Sequence, residues 1–179
     1  MSVFGAHEII QFAVKIEENG EEFYRQAAGK FSAQAVKDTF LILANEEIQH
    51  RNVFTQMLAA VENYEPPESF AGEYSQYLRS YANEHIFTSQ KSARLKAMPM
   101  KNAKEAIDFA IEMELDSIHY YTEAKTLIPP AQKATVDKII EQERQHYLKL
   151  TQIKATIYIS MLENLDWFGH YSFRSDGSK

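Results

Sequence analysis

The chain has 179 residues, of which 45% are hydrophobic and 25% charged, a size and balance that suit one domain with a sizeable core. It contains no cysteine, which excludes a disulfide framework, a zinc finger, an iron–sulfur cluster and a thiol nucleophile. The net charge of −6 offers no basic surface for nucleic acid or an anionic membrane, and every apolar run is shorter than the ~20 residues of a membrane span. We therefore expect a cytoplasmic protein that binds neither nucleic acid nor membrane.

Four long segments show the periodicity of amphipathic helices. Glycine and proline residues separate these segments, and apolar residues recur at three- and four-residue spacing within each of them. The predicted helices cover about residues 2–29, 32–65, 102–128 and 131–165. Asn102 is a candidate N-cap for the third helix, because Glu105 follows it three residues later as in a capping box.

The remaining segments differ from these four. Residues 68–98 have a weaker and more aromatic stripe, which predicts a crossover that is helical in part, and residues 166–179 have no helical period. No segment alternates with the period of a strand. The sequence therefore predicts an all-α four-helix bundle over residues 1–165, with a long crossover that contains an additional helical segment between helices 2 and 3. A non-helical tail, 166–179, follows.

Ionisable residues stand on the apolar stripe at the middle of all four helices. Burying an isolated carboxylate is costly, so such a group normally protonates, pairs with a cation or binds a metal. The apolar stripes carry no Lys or Arg that could pair with these carboxylates. If the four carboxylates are ionised and the histidines neutral, two divalent cations would neutralise the negative charge of the cluster. The residues are Glu17 on the first helix, Glu47 and His50 on the second, Glu114 on the third, and Glu143 and His146 on the fourth.

The spacing of these residues repeats along the chain. In each Glu-x-x-His pair, the two side chains are neighbours on one helix face and can reach one metal ion. Taken alone, such a pair could equally lie on the exposed face of a surface helix. A single glutamate could equally lie at the edge of the apolar stripe, where its carboxylate reaches solvent. The lone glutamate recurs after 97 residues, however, and the Glu-x-x-His pair after 96, which indicates an internal duplication of a helix hairpin.

Several nearby residues are assigned more weakly. Tyr24 and Tyr121 each follow the lone glutamate of their half by seven residues, two helical turns, and so share its face. By themselves they also fit simple core aromatics. Glu21 and Glu46 are predicted to lie on solvated helix faces, with contact to the cluster as the alternative for Glu21.

This constellation resembles the ferritin-like di-iron carboxylate proteins and, among them, the rubrerythrins. Members of that superfamily contribute one glutamate from each of two helices and a Glu-x-x-His motif from each of the other two. The fragments EENGEEFYRQAA and LANEEIQHRNVF are similar to the first and second helices of rubrerythrins, and the resemblance covers about residues 5–160. It implies a ferritin-like four-helix bundle.

The resemblance also implies roles for the individual residues. Two iron ions would be the cofactor, with manganese or a mixed pair compatible with the same ligands. Peroxide or dioxygen would bind at open positions, and the tyrosines Tyr24 and Tyr121 would hydrogen-bond ligand carboxylates. The implied ligand roles are terminal for Glu17 and Glu114, bridging for Glu47 and Glu143, and completion of one ion each for His50 and His146.

The activity implied is that of a non-haem di-iron oxidoreductase that reduces hydrogen peroxide or dioxygen. The best-known rubrerythrins carry a cysteine-rich rubredoxin domain, which this cysteine-free chain lacks, so a separate electron-donor protein is expected. They also carry an extra carboxylate where this chain has Ser117, so redox-linked ligand exchange is not implied here. A ferroxidase that oxidises Fe²⁺ with dioxygen and an iron-binding or storage protein are the alternatives. We expect a homo-oligomer, with a dimer favoured.

Overall fold

The computed structural model describes residues 5–62, 64, 73–86, 91 and 103–171, with side chains described as far as residue 159. All regular structure in these ranges is helical, and they contain no strand. The elements are α1 (Ala6–Ala28), α2 (Gln34–Val61), α3 (Glu73–Tyr81) with a π-helical turn (Ala82–Ile86), α4 (Ala103–Ala124) with a 3₁₀ turn (Lys125–Leu127), and α5 (Pro130–Tyr171).

The four long helices form two hairpins that pack face to face. Helix α1 packs along α2, and α4 packs along α5. The hairpins meet where α1 contacts α4 and α2 contacts α5. The predicted four-helix bundle is therefore confirmed, and α3 confirms the additional helical segment in the crossover between the second and third bundle helices.

Helix α3 lies against α4. Leu78 and Ala82 are fully buried at this contact. The Tyr74 hydroxyl donates a hydrogen bond to Glu123, and the Tyr81 hydroxyl donates one to Asp116 at 3.5 Å. The described part of the crossover therefore packs against the second hairpin.

The bounds of the helices differ from the prediction in places. Helix α4 ends at Ala124 instead of reaching Pro129, and Ile128 has an extended backbone at φ −108° and ψ 161°. A residue that precedes proline disfavours the helical region, which explains why the helix cannot reach the proline. Asn102, the predicted cap of this helix, lies outside the described residues.

The C-terminal segment contradicts the predicted tail. Helix α5 continues to Tyr171, so the prediction of a non-helical segment is wrong for residues 166–171, while 172–179 lie outside the described residues. Once a helix exists, each added residue gains a hydrogen bond, so the helix can continue without an amphipathic face. The lone Gly169 in this stretch costs only about 1 kcal/mol relative to alanine.

Two apolar clusters fill the bundle in the described part of the chain. The first contains the start of α1 and the end of α2, with Ile9 and Phe54 among its members. The second contains the end of α1 and the start of α2, with Phe23 and Phe40. Each bundle helix has apolar residues in both clusters, and its ionisable core residues lie along the helix between these two apolar sets. A polar layer thus lies between two apolar ones. None of the described helices is both long and apolar enough to span a membrane.

Candidate metal centre

The structure brings all six predicted ionisable core residues together in the polar layer. Their ligand atoms form two groups of four, and within each group all of these atoms lie within 4.8 Å of one another. Two residues, Glu47 and Glu143, belong to both groups. The exposed fractions are 1% for Glu17, 4% for Glu47, 3% for His50, 2% for Glu114, 1% for Glu143 and 1% for His146.

The first group surrounds the Nδ1 atom of His50. This atom lies 3.6 Å from Glu17 Oε2 and 3.4 Å from Glu47 Oε2. It also lies 2.9 Å from Glu143 Oε1. Three carboxylate oxygens from three helices therefore face one imidazole nitrogen.

The second group surrounds the Nδ1 atom of His146 in the same way. This atom lies 3.6 Å from Glu114 Oε1, 3.4 Å from Glu47 Oε1 and 3.3 Å from Glu143 Oε2. Glu47 and Glu143 thus present one oxygen to each histidine, whereas Glu17 faces only His50 and Glu114 faces only His146. Two positions that share two carboxylates are the geometry of a dinuclear metal centre with bridging ligands.

Unpaired atoms in the cluster support a metal-binding role. Among the described residues, His50 Nδ1, His146 Nδ1, Glu114 Oε2 and Glu143 Oε1 are buried and have no hydrogen-bond partner. A buried polar atom without a partner carries a desolvation penalty of about 1–3 kcal/mol, which a coordinated cation would remove. Carboxylate oxygen and imidazole nitrogen together suit iron or manganese. The residues present therefore fit a pair of such ions.

The carboxyl and imidazole groups of the cluster have strongly shifted pKa values. Burial raises the pKa of Glu17 and Glu114 well above the ordinary value, and the nearby charges of Glu143 and Glu47 raise it further. Burial acts in the opposite direction on His50 and His146, but the adjacent carboxylates outweigh it and hold the pKa of both imidazoles far above the usual range. Without a bound cation, these interactions favour the neutral form of the Glu17 and Glu114 carboxyls and the protonated form of both imidazoles.

The two bridging candidates behave differently from the terminal ones. Burial alone would raise the pKa of Glu47 and of Glu143. The interactions with His146 and His50 outweigh burial, and the pKa of each carboxyl lies below its ordinary value. These interactions therefore favour the ionised form of both side chains.

Each predicted tyrosine contacts a carboxylate of the cluster, but on the other hairpin. The Tyr24 hydroxyl donates to Glu114 Oε1, and the Tyr121 hydroxyl donates to Glu17 Oε1. Burial raises the pKa of both hydroxyls well above the ordinary value, so they remain protonated donors. The seven-residue spacing predicts that each tyrosine shares a face with the glutamate of its own helix. The observed contact with the glutamate of the other hairpin depends on how α1 and α4 pack.

The outward Nε2 atoms of the histidines have partners that the sequence analysis missed. His50 Nε2 donates to Gln142 Oε1 at 3.2 Å. His146 Nε2 lies 2.9 Å from Glu46 Oε2, which also accepts a hydrogen bond from Lys149 at 3.2 Å. Glu46 was expected on a solvated face, and it is partly exposed, but its carboxylate faces a histidine. The available signal was that Glu46 and Gln142 each precede the glutamate of a Glu-x-x-His pair.

Glu21 does not join the cluster. Its carboxylate accepts hydrogen bonds from Arg25 at 3.0 Å and from Arg51 at 2.6 Å. The predicted solvated-face assignment therefore describes Glu21 better than contact with the cluster does.

A small cavity opens beside the cluster between α1 and α4. Its volume is about 10 Å³, roughly the space that one water molecule requires. Gly20 contributes to this cavity, and a Cβ atom there would lie 3.2 Å from Glu47 Cγ. Ser117 also lines it, with its hydroxyl donating to Met113 O at 3.1 Å. The lining residues are Ile16, Glu17, Gly20, Tyr24, Glu47, Met113, Glu114 and Ser117.

The fold and this geometry define a ferritin-like bundle with a buried carboxylate–histidine centre. A sequence model of the family described as Rubrerythrin matches residues 8–154. The crystal structure of a candidate ferritin-like diiron-carboxylate protein from Thermotoga maritima is similar, with 32% identity, a TM-score of 0.63, and coverage of 84% of this chain and 95% of that chain. No curated protein shows significant similarity. The chain belongs to the rubrerythrin family.

Proposed function

We propose that the six clustered residues bind two iron ions and that the protein is a non-haem di-iron oxidoreductase that reduces hydrogen peroxide. The observation that carries this proposal is the sharing of Glu47 and Glu143, each with one oxygen at each histidine position. Glu17 and His50 complete one position. Glu114 and His146 complete the other.

The chemistry requires two electrons and two protons for each peroxide. Reduced iron held at the two positions would supply the two electrons that convert H₂O₂ and two protons into two water molecules. The protein side chains fix the ligand geometry, because Tyr24 and Tyr121 hold the terminal carboxylates of Glu114 and Glu17 by hydrogen bonds. The apolar clusters on both sides of the polar layer keep bulk water away from it.

The cavity beside the cluster favours a very small substrate. Its volume of about 10 Å³ is close to that of one water molecule, so a small oxidant suits this cavity better than an organic substrate does. Tyr24 lines the cavity and keeps its hydroxyl proton, since burial raises the pKa of that group. The hydroxyl therefore stays a hydrogen-bond donor that holds Glu114 at the cavity wall.

Repeated turnover requires a reductant. The chain has no cysteine for an iron–sulfur or thiol relay of its own, so a separate electron-donor protein completes the proposal. Cytoplasmic location and a homodimer belong to the same proposal.

Stopped-flow spectroscopy tests the choice of oxidant. Protein loaded with Fe²⁺ without oxygen is mixed with hydrogen peroxide or with dioxygen, and oxidation of the iron is followed. We expect faster oxidation by peroxide. An equal or faster reaction with dioxygen would contradict the proposal and support the ferroxidase alternative, and assembly into a large hollow shell on size-exclusion chromatography would support storage.

A further inference from the structure

The two halves of the candidate metal centre differ behind the histidines. The ligand residues, the tyrosines and the facing oxygens repeat in both hairpins, but the groups that contact the outer Nε2 atoms do not. At His50 the partner is the neutral side-chain amide of Gln142, at 3.2 Å. At His146 the partner is the carboxylate of Glu46, at 2.9 Å.

The internal duplication shows that this difference is a substitution at one repeated position. Glu46 and Gln142 are 96 residues apart, the same separation as His50 and His146. Each one precedes the glutamate of its own Glu-x-x-His pair and faces the histidine of the other hairpin. A carboxylate in one half thus stands where the other half has an amide of almost the same shape.

Lys149 strengthens the difference by fixing the carboxylate. Its ammonium group donates to Glu46 Oε2 at 3.2 Å, and the repeat places Val53 at the corresponding position of the first half. The Lys149 side chain is 42% exposed and that of Glu46 is 30% exposed, so solvent screens the attraction between them. Lys149 therefore orients the Glu46 carboxylate more than it neutralises its charge.

A carboxylate behind a ligating imidazole changes the metal in front of it. The negative acceptor increases the basicity of the nitrogen that binds the metal and fixes the ring orientation, and loss of such a partner typically lowers metal affinity about 10- to 100-fold. A neutral amide fixes the ring without supplying the charge.

We propose that the two metal positions are inequivalent, and that Glu46 is a positioning residue that makes the His146 position the tighter one. This inference rests on the proposed di-metal function. The His146 position then fills first, and an iron ion there has the lower reduction potential, because a more basic ligand favours the higher charge.

Calorimetric titration with Mn²⁺ tests the inference on single positions. His50→Ala leaves the His146 position complete, and His146→Ala leaves the His50 position complete. We expect His50→Ala to bind Mn²⁺ about 10- to 100-fold more tightly than His146→Ala does. Equal dissociation constants for the two variants would overturn the inference.

The crossed substitutions separate the charge effect from a structural one. Glu46→Gln should weaken binding in the His50→Ala background and leave the His146→Ala background unchanged, because Glu46 faces only the His146 ring. Gln142→Glu should tighten binding in the His146→Ala background and leave the other unchanged. Equal effects of Glu46→Gln in both backgrounds would overturn the role of Glu46, since a general loss of packing acts on both positions.

The intact ligand set provides a second measurement. If a histidine variant retains no measurable binding, the two stepwise Mn²⁺ constants of the parent are compared with those of Glu46→Gln. We expect unequal constants in the parent and closer constants in the variant, with a higher midpoint potential for its iron form. Two equal constants in the parent contradict this inference alone, whereas a parent that binds no Mn²⁺ or Fe²⁺ contradicts the proposed function as well.

Discussion

Single atoms around the cluster decide the shape of the candidate ligand set. Tyr24 and Tyr121 each hold one carboxylate of the opposite hairpin, and Gly20 leaves the space that the Glu47 side chain occupies. The sequence indicated which ionisable residues interrupt the apolar stripes, because a stripe is a property of one helix. It did not indicate the crossed tyrosine contacts or the pairing of Glu46 with His146, because both depend on the rotation of one hairpin against the other.

Removal of one tyrosine hydroxyl should weaken metal binding. Tyr24→Phe deletes the donor that holds Glu114, and we expect the affinity for Mn²⁺ to fall about 10-fold or more, as for other groups that orient a ligand. Tyr120→Phe is the matched control, since the Tyr120 hydroxyl is also buried but donates to the backbone oxygen of Ile9 at 3.0 Å. A similar loss of affinity in both variants would show that the Tyr24 contact has no specific role.

A methyl group at Gly20 should separate folding stability from metal affinity. Alanine is favoured over glycine inside a helix by about 0.5–1 kcal/mol, but a Cβ atom at this position would lie 3.2 Å from Glu47 Cγ. We expect Gly20→Ala to weaken Mn²⁺ binding without an equivalent loss of metal-free stability, measured by calorimetry and urea unfolding. Gly29→Ala is the control, because its added Cβ meets a backbone oxygen at an ordinary 3.5 Å. Unchanged Mn²⁺ affinity in Gly20→Ala would disprove the steric argument.

Among the helices, the four bundle elements position the candidate ligands, and α3 packs against α4. The periodicity of apolar residues predicts these elements, because the few ionisable residues in the core do not hide the apolar stripe of each helix. The ends were less predictable: α4 ends before Pro129, and α5 continues to Tyr171 without an apolar stripe. Helix ends depend on local backbone preferences and hydrogen bonds, which a stripe does not encode.

Loss of apolar contact at α3 should reduce stability and leave the metal centre intact. Leu78 is fully buried, and Leu78→Ala is expected to lower the free energy of unfolding by about 2–5 kcal/mol. The ligand groups found among the described residues come from the four bundle helices, so the Mn²⁺ affinity of the folded variant should be unchanged. Tyr77→Ala, at a residue that is 45% exposed, is the control for a mild effect. A Leu78→Ala variant as stable as Tyr77→Ala would argue against the docking of α3.

For the whole molecule, the proposed metal binding would couple to folding through the polar layer. Four carboxyl groups and two imidazoles meet between two apolar clusters, and burial and their mutual interactions shift their pKa values. Any ion that binds the folded chain stabilises it by mass action. The molecule should therefore be more stable with metal than without it, by an amount that depends on pH.

The increase in Tm caused by metal binding should depend on pH with a defined sign. The adjacent carboxylates raise the pKa of His50 and His146, so a cation that binds through these imidazoles competes with protons. We expect saturating Mn²⁺ to raise Tm more at about pH 7.5 than at about pH 5.5, because protons compete with the cation at low pH. Differential scanning calorimetry with and without chelator measures both values. An increase in Tm that is larger at the lower pH would contradict the linkage.

Metal analysis of the purified protein and of Glu47→Ala, after loading with Fe²⁺ without oxygen, tests whether two ions share this buried site. The parent should hold about two metal ions per chain, and the variant should lose most of them, because Glu47 presents an oxygen to both positions. Glu141→Ala, at an exposed glutamate of α5, is the control and should retain the parent content. Equal metal content in the parent and Glu47→Ala would contradict the account of a shared, buried di-metal centre.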